Sequence, residues 1–216
     1  MRFKLVGRVW LNTLLALWLV PAVFAVPIAL PPGDQPCAAL KNTTILIIRH
    51  AEKPDEGLEL TPVGNLRARA YVGYFAAFKV DGQPVKLEHV FCTADSKGSH
   101  RPRLTVTPLS QALGLPLDNR FKTKNPAALT EEIRSQAHGK ALLICWHHGE
   151  IPEVLAGLGA NPEALLPGGK WPEDIFGWLL ELRYDDQGRL QAAERVQEHL
   201  MPDDPVAAEA GQLKGD

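Results

Sequence analysis

Several organising devices are scarce in this chain. Of its 216 residues only three are cysteines, Cys37, Cys92 and Cys145, too few and too scattered for a disulfide framework or a zinc cluster. Cys145 lies within an apolar run and reads as a small buried hydrophobe; Cys37 with Cys92 is the pairing that an oxidising compartment would permit. Internal repeats and low-complexity segments are absent. Nor does one sign of charge prevail: 23 basic residues face 25 acidic ones, a formal charge of −2, and so mildly acidic a body does not advertise nucleic-acid binding. What is present, 45% hydrophobic and 22% charged residues, is the composition of a soluble globular protein with one domain of ordinary size.

The amino terminus differs in kind. Arg2, Lys4 and Arg8 precede the apolar stretch Val9 to Val20, and small residues follow at Val23 and Ala25. A basic region, an apolar core and a cleavage site after Ala25 make residues 1–25 a signal peptide, which puts the remainder in the periplasm or outside the cell. An uncleaved membrane anchor is the alternative, since the apolar run continues through Leu30, although Pro21 and Pro27 oppose one long helix. Loss of this segment removes three positive charges and takes the net charge from −2 to −5. Residues 26–40, rich in proline, read as a linker, residues 41–200 as the domain, and residues 201–216 as a flexible tail.

The domain is organised around Thr44-Ile45-Leu46-Ile47-Ile48-Arg49-His50. Four consecutive aliphatic residues read as a strand buried on both faces, delivering Arg49 and His50 to the carboxyl edge of a sheet. A charged pair ending so apolar a run is costly inside a core and belongs in a cleft that an anion can enter. Next, Thr61 caps a helix with Pro62 at its first position, and Leu66, Ala70, Tyr74 and Ala77 recur at the spacing of its buried stripe. A second strand, His89 to Cys92, leads to Ser99-His100-Arg101-Pro102-Arg103-Leu104-Thr105, where arginines near a helix start are placed to bind an anion. A third, Ala141 to Trp146, ends in His147-His148-Gly149-Glu150. A helix follows, then a Gly/Pro-rich loop and a strand over 176–184. Strands alternating with amphipathic helices predict an α/β layer structure.

Three patches share one order. Arg49-His50 after an aliphatic strand, Arg101 four residues before Thr105 in Arg-x-x-x-Thr-x-x-Pro-Leu, and His147-His148 after another aliphatic strand resemble the histidine phosphatase superfamily. Leu60-Thr61-Pro62-Val63-Gly64 is similar to that family's Leu-Thr-Pro-x-Gly segment, and Ala51-Glu52-Lys53 resembles a bacterial subgroup with an Arg-His-Ala-Glu motif. The resemblance implies a three-layer α/β/α sandwich with a mostly parallel central sheet, phosphoglycerate mutase-like, and phosphoryl transfer through a phosphohistidine. On it, His50 is the nucleophile, Arg49 and Arg101 hold the phosphoryl oxygens, and a second imidazole neutralises charge in the transition state. Counting from the strand makes that imidazole His147; likeness to a Trp-Glu-His subgroup makes it His148, which is preferred. Arg103 is a rival for the role of Arg101.

The chemistry suits these residue types. A phosphoryl group passes through a loose transition state with charge on its equatorial oxygens, so positioning and cationic clamping supply most of the catalysis. Arginine offers a fork of fixed donors, and neutral imidazole is a usable nucleophile near pH 7. Neither cofactor nor metal is expected: adjacent histidines seldom ligate one ion. No carboxylate stands in Asn119 to Lys124, where the resemblance would place a leaving-group acid. Glu52 and Glu150, with Lys53, are therefore candidates for contact with a small phosphorylated substrate. That missing acid motivates the alternative of a non-catalytic phosphate-binding module.

Overall fold

A computed structural model of the chain describes residues 35–202 and residue 204. The signal segment 1–25, most of the 26–40 linker and most of the 201–216 tail lie outside the described residues. The end of that linker is already part of the domain, because Cys37 and Leu40, flanking a short 3-10 turn over Ala38–Leu40, are buried in the core.

In chain order the elements are β1 (Thr44–Arg49), α1 (Pro62–Ala77), a two-residue hairpin of β2 (Lys79–Val80) and β3 (Gln83–Pro84), β4 (His89–Thr93), α2 (Arg101–Leu113), β5 (Leu117–Phe121), α3 (Pro126–Ser135), β6 (Ala141–Trp146), α4 (Ile151–Gly157), α5 (Pro162–Leu165), β7 (Trp178–Tyr184) and β8 (Leu190–Gln197). Six strands form one sheet in the order β5-β4-β6-β1-β7-β8. β1, β6, β4 and β5 run parallel, and β7 and β8 extend the sheet antiparallel. Helices cover both faces, so the architecture is the three-layer sandwich with a mostly parallel sheet that the resemblance implies.

The central strands are continuously aliphatic because both of their faces are covered. On one face Ile45, Ile47, Leu142 and Ile144 pack against Leu129 and Ile133 of α3 and Val154 and Leu155 of α4. On the other, Leu46, Ile48, Leu143 and Cys145 meet Tyr71 and Phe75 of α1 and Val106 and Leu109 of α2. Cys37 belongs to the first face and Cys92 to the second. The two are separated by the sheet, and all three cysteines are free thiols, which corrects the pairing the sequence permitted.

Helix α1 starts as expected, with Thr61 Oγ1 accepting the Gly64 N–H at 3.0 Å. Its buried face does not follow the expected stripe. Gly64, Arg67, Ala68, Tyr71 and Phe75 point inward, whereas Leu66 is 56% exposed. The reason is Arg67, which the pattern counts as polar surface but which is 1% exposed and ion-paired inside the protein. Gly64 is required by close approach: a Cβ there would lie 2.6 Å from the Glu52 carbonyl oxygen. This contact seats the loop after β1 on the first turn of α1.

Phe75→Ala is expected to cost about 3–5 kcal/mol, as for other buried aromatics, while Leu66→Gln stays within roughly 0.5 kcal/mol. Chemical denaturation of both variants checks the assignment; a large loss for Leu66→Gln would restore the original stripe.

Candidate active site

β1 and β6 are neighbouring parallel strands, so their carboxyl ends lie at the same sheet edge and bring Arg49-His50 beside His147-His148. The ladder continues one step further, with His50 N–H donating to the Trp146 carbonyl at 3.0 Å. The rings of His50 and His147 meet edge to face with centroids 4.9 Å apart.

His50 is buried, and its Nδ1 lies 2.8 Å from the Ala51 carbonyl oxygen. A carbonyl only accepts, so Nδ1 carries the proton and Nε2 keeps its lone pair. The same Ala51 residue donates its N–H to Thr105 Oγ1 at 2.9 Å, and the Thr105 hydroxyl donates to the Arg101 carbonyl at 2.8 Å. This explains the four-residue spacing from Arg101 to Thr105. One helical turn lets the threonine bond back to the arginine's backbone and hold, by its N–H, the residue whose carbonyl orients His50.

Arg49 is 0% exposed. Its Nη1 donates to the carbonyls of Pro172, Glu173 and Ile175 at 3.1, 2.6 and 2.8 Å, and the guanidinium carbon sits 3.9 Å over the Phe176 ring. Its Nε and Nη2 are buried with no partner. Burial lowers its pKa to about 10, with Glu173 and Asp174 opposing. Arg101 donates from Nη1 to Gly57 O at 3.0 Å and from Nη2 to Gly98 O at 3.4 Å, again leaving a buried Nε unpaired. Buried unpaired guanidinium donors are costly, and an anion would satisfy those of both side chains. The rival Arg103 is instead bound by both oxygens of Asp95 at 3.0 and 2.8 Å.

Burial is also what pushes His50 down to about 2, with His147 and the two arginines adding to it against the Ala51 hydrogen bond. Burial first, then Arg101, pushes His147 down to about 4. His148 is lowered by burial and by Arg49. All three imidazoles are neutral at pH 7, ringed by fixed positive charge.

Two cavities open here. One, of about 490 Å³, is lined by Arg101, His147, Lys122, Lys124 and Asp95; the other, of about 420 Å³, by His148, Trp171 and Glu173. The tandem histidines thus face different spaces, and His147 is the one in ring contact with His50. His148 keeps a buried, unpaired Nδ1. Glu52 is engaged by Arg67 at 2.7 Å and Glu150 by Lys124, so both hold other side chains. Lys53 is exposed, and Arg120 pairs with Asp118 at 3.1 Å and Glu132 at 2.6 Å. Among the described residues no cluster of histidine, cysteine, aspartate and glutamate is suited to a metal.

Sequence reasoning missed the 172–176 segment that grips Arg49, because three of its contacts are backbone carbonyls. It also missed Asp95, whose only signal was its place just past the end of β4.

The arrangement gathers guanidiniums with unpaired donors and neutral imidazoles at the carboxyl edge of a doubly covered sheet. No family model matches the sequence, and no curated protein does. Among solved structures, the protein histidine phosphatase SixA complexed with tungstate is similar over 72% of this chain and 97% of its own, at 18% identity and TM-score 0.46. A mycobacterial glucosyl-3-phosphoglycerate phosphatase is similar over 69% and 97%, at 13% identity and TM-score 0.41. A second mycobacterial enzyme, mycobacterial hydrolase 2, is similar over 79% and 95%, at 11% identity and TM-score 0.41. At such identities and scores the likeness says nothing of chemistry, which is read from this chain's own side chains.

Because the free imidazole value is 6.5 and that of buried His50 about 2, the unfolded chain takes up the proton first. Stability is then complete above about pH 6.5 and declines as pH falls, by up to about 1.4 kcal/mol per pH unit for each such group. Denaturation at pH 7 and pH 5 should show a shallower decline for His50→Asn than for the unmodified chain. NMR should show no protonation of the His50 ring between pH 8 and 5; a transition near 6.5 would contradict its burial.

Proposed function

We propose that the chain is an exported phosphoric monoester hydrolase that works through a phosphohistidine on His50. The observation that carries this reading is the His50 Nε2 lone pair, fixed by the Ala51 carbonyl and flanked by two arginines with buried, unpaired donors. In the first step Nε2 attacks phosphorus, the P–N bond forms, and the bond from phosphorus to the ester oxygen breaks; the departing alkoxide takes a proton from solvent water in the open cavity and leaves as the alcohol. Arg49 and Arg101 take the developing charge on the equatorial oxygens, and His147 adds a neutral donor or acceptor beside them. In the second step water attacks phosphorus and gives up a proton to solvent, the P–N bond breaks with its electron pair returning to Nε2, and phosphate leaves neutral His50 restored. The departing alcohol lies in the cavity shared by Arg101 and His147, where Asp95 is the lining carboxylate.

Export rests on the signal read in residues 1–25, with membrane attachment as its alternative; among the described residues no helix is long and apolar enough to cross a membrane. The substrate class is a small phosphorylated molecule sized to that cavity.

One observation favours the second reading, a non-catalytic phosphate-binding module. Glu52, Glu150 and Asp95 are all ion-paired, so none of these three is idle to protonate a poor leaving group. The two readings part on turnover. With p-nitrophenyl phosphate and a panel of sugar phosphates, His50→Ala should lower kcat by on the order of a thousandfold, and acid-quenched protein should carry acid-labile, alkali-stable phosphate on His50. His147→Ala should cost more than His148→Ala. Phosphate binding without His50-dependent turnover would establish the module instead. Fractionation with amino-terminal sequencing should find a mature chain starting at Val26.

A further inference from the structure

Behind the cleft lies a charge cluster that phosphoryl transfer does not use. Buried Arg67 donates to Glu52 Oε1 from Nε at 2.9 Å and Nη2 at 2.7 Å, to Asp204 at 3.0 and 2.5 Å, and to Glu198 at 3.3 Å. The Tyr71 hydroxyl donates to Glu198 at 2.9 Å. Burial works against the charge on Arg67, yet Asp204 and Glu52 outweigh it and raise its pKa. Burial likewise opposes the charge on Asp204, but Arg67 and the Met201 N–H hold it below the usual carboxylate range. Every donor of this guanidinium is spent on carboxyl groups from two distant parts of the chain, and burial pushes that of Glu198 up to about 8.

Two connections run from the cluster into the cleft. Glu52 follows Ala51, whose carbonyl fixes the His50 tautomer, and the Glu52 carbonyl accepts the Thr61 N–H at 3.0 Å. On the opposite side, Glu198 N–H donates to the Gly177 carbonyl at 2.9 Å. A Cβ on Gly177 would sit 2.5 Å from the Asp204 carboxylate, so that carboxylate closes over bare backbone. The neighbour of Gly177 is Phe176, the ring stacked on Arg49.

We propose that Glu198 and Asp204 form a latch for the cleft: Asp204 holds Arg67, which sets Glu52 and the Ala51 carbonyl behind His50, while its closure over Gly177 sets Phe176 against Arg49. Asp204 and Arg67 are thereby positioning residues, the first of them in a segment that reads as a tail in the sequence and the second in α1. The kinetic part of this inference rests on the phosphohistidine reading; the structural part does not.

The test is Asp204→Asn in the full chain, which keeps an acceptor for the Leu200 and Met201 N–H groups (2.8 and 3.0 Å) and removes the charge facing Arg67. The expected result is a folded protein whose kcat falls about 10- to 100-fold at unchanged KM, the loss that misplacement by about 1 Å produces. Its His50 ring nitrogens should move in the NMR spectrum from a fixed Nδ1–H tautomer to an exchanging mixture, and Asp204→Glu should recover part of both. A folded Asp204→Asn protein with unchanged kcat and an unmoved His50 spectrum overturns the latch. If Asp204→Asn does not fold, Glu52→Gln replaces it, read by the same two measurements with the same consequences. The spectrum needs no turnover, so an unmodified chain inert toward phosphomonoesters sinks the hydrolase reading while the latch is still decided.

Discussion

The peptide of Ala51 is the joint on which the cleft turns. Its N–H is taken by Thr105 from helix α2 and its carbonyl takes the proton side of His50, so one residue couples the central strand, a covering helix and the proposed nucleophile. Nothing larger than a methyl is needed there, and the side chain is fully buried beside Leu60, Ala68 and Leu104. A hydrogen bond of this kind is worth only about 1 kcal/mol in stability. Its larger effect is conformational, because it selects one of two imidazole tautomers and leaves the other nitrogen free to react.

Around that joint the electrostatics work by exclusion. Two guanidiniums and three imidazoles gather at one edge of the sheet, and the cost of their burial falls on the imidazoles as lost basicity and on Arg49 as unpaired donors. A cleft held in that state is preorganised for a dianion, which would bring the missing acceptors with it. Phe176 completes the arrangement from the side, covering the cationic face that the anion does not need.

The strands and the order of the motifs were legible in the sequence because β1 and β6 are unbroken aliphatic runs, the mark of strands covered on both sides, and each ends in the residues that matter. β8 was not legible: its Leu190-Gln191-Ala192-Ala193-Glu194-Arg195-Val196-Gln197 is a half-exposed edge strand, with charged and small residues where a strand pattern would show alternating apolar ones. β5, with Asp118 and Arg120 in its five residues, was hidden for the same reason. The inward face of α1 was misread because a buried arginine defeats any rule that equates charge with solvent. The tandem histidines were ambiguous for a geometric reason. Successive residues leaving a strand point to opposite sides, and sequence counting cannot say which side holds the partner ring.

The grip on Arg49 by Pro172, Glu173 and Ile175 uses main-chain oxygens alone. Every amino acid carries that oxygen, so the side chains of Pro172 and Glu173, which lie outside the core, are free to drift in evolution while the guanidinium stays clasped. The wall of the neighbouring cavity, built in part from the same residues, is then the portion of the protein that selection can remodel toward a new ligand without disturbing the arginine beneath it.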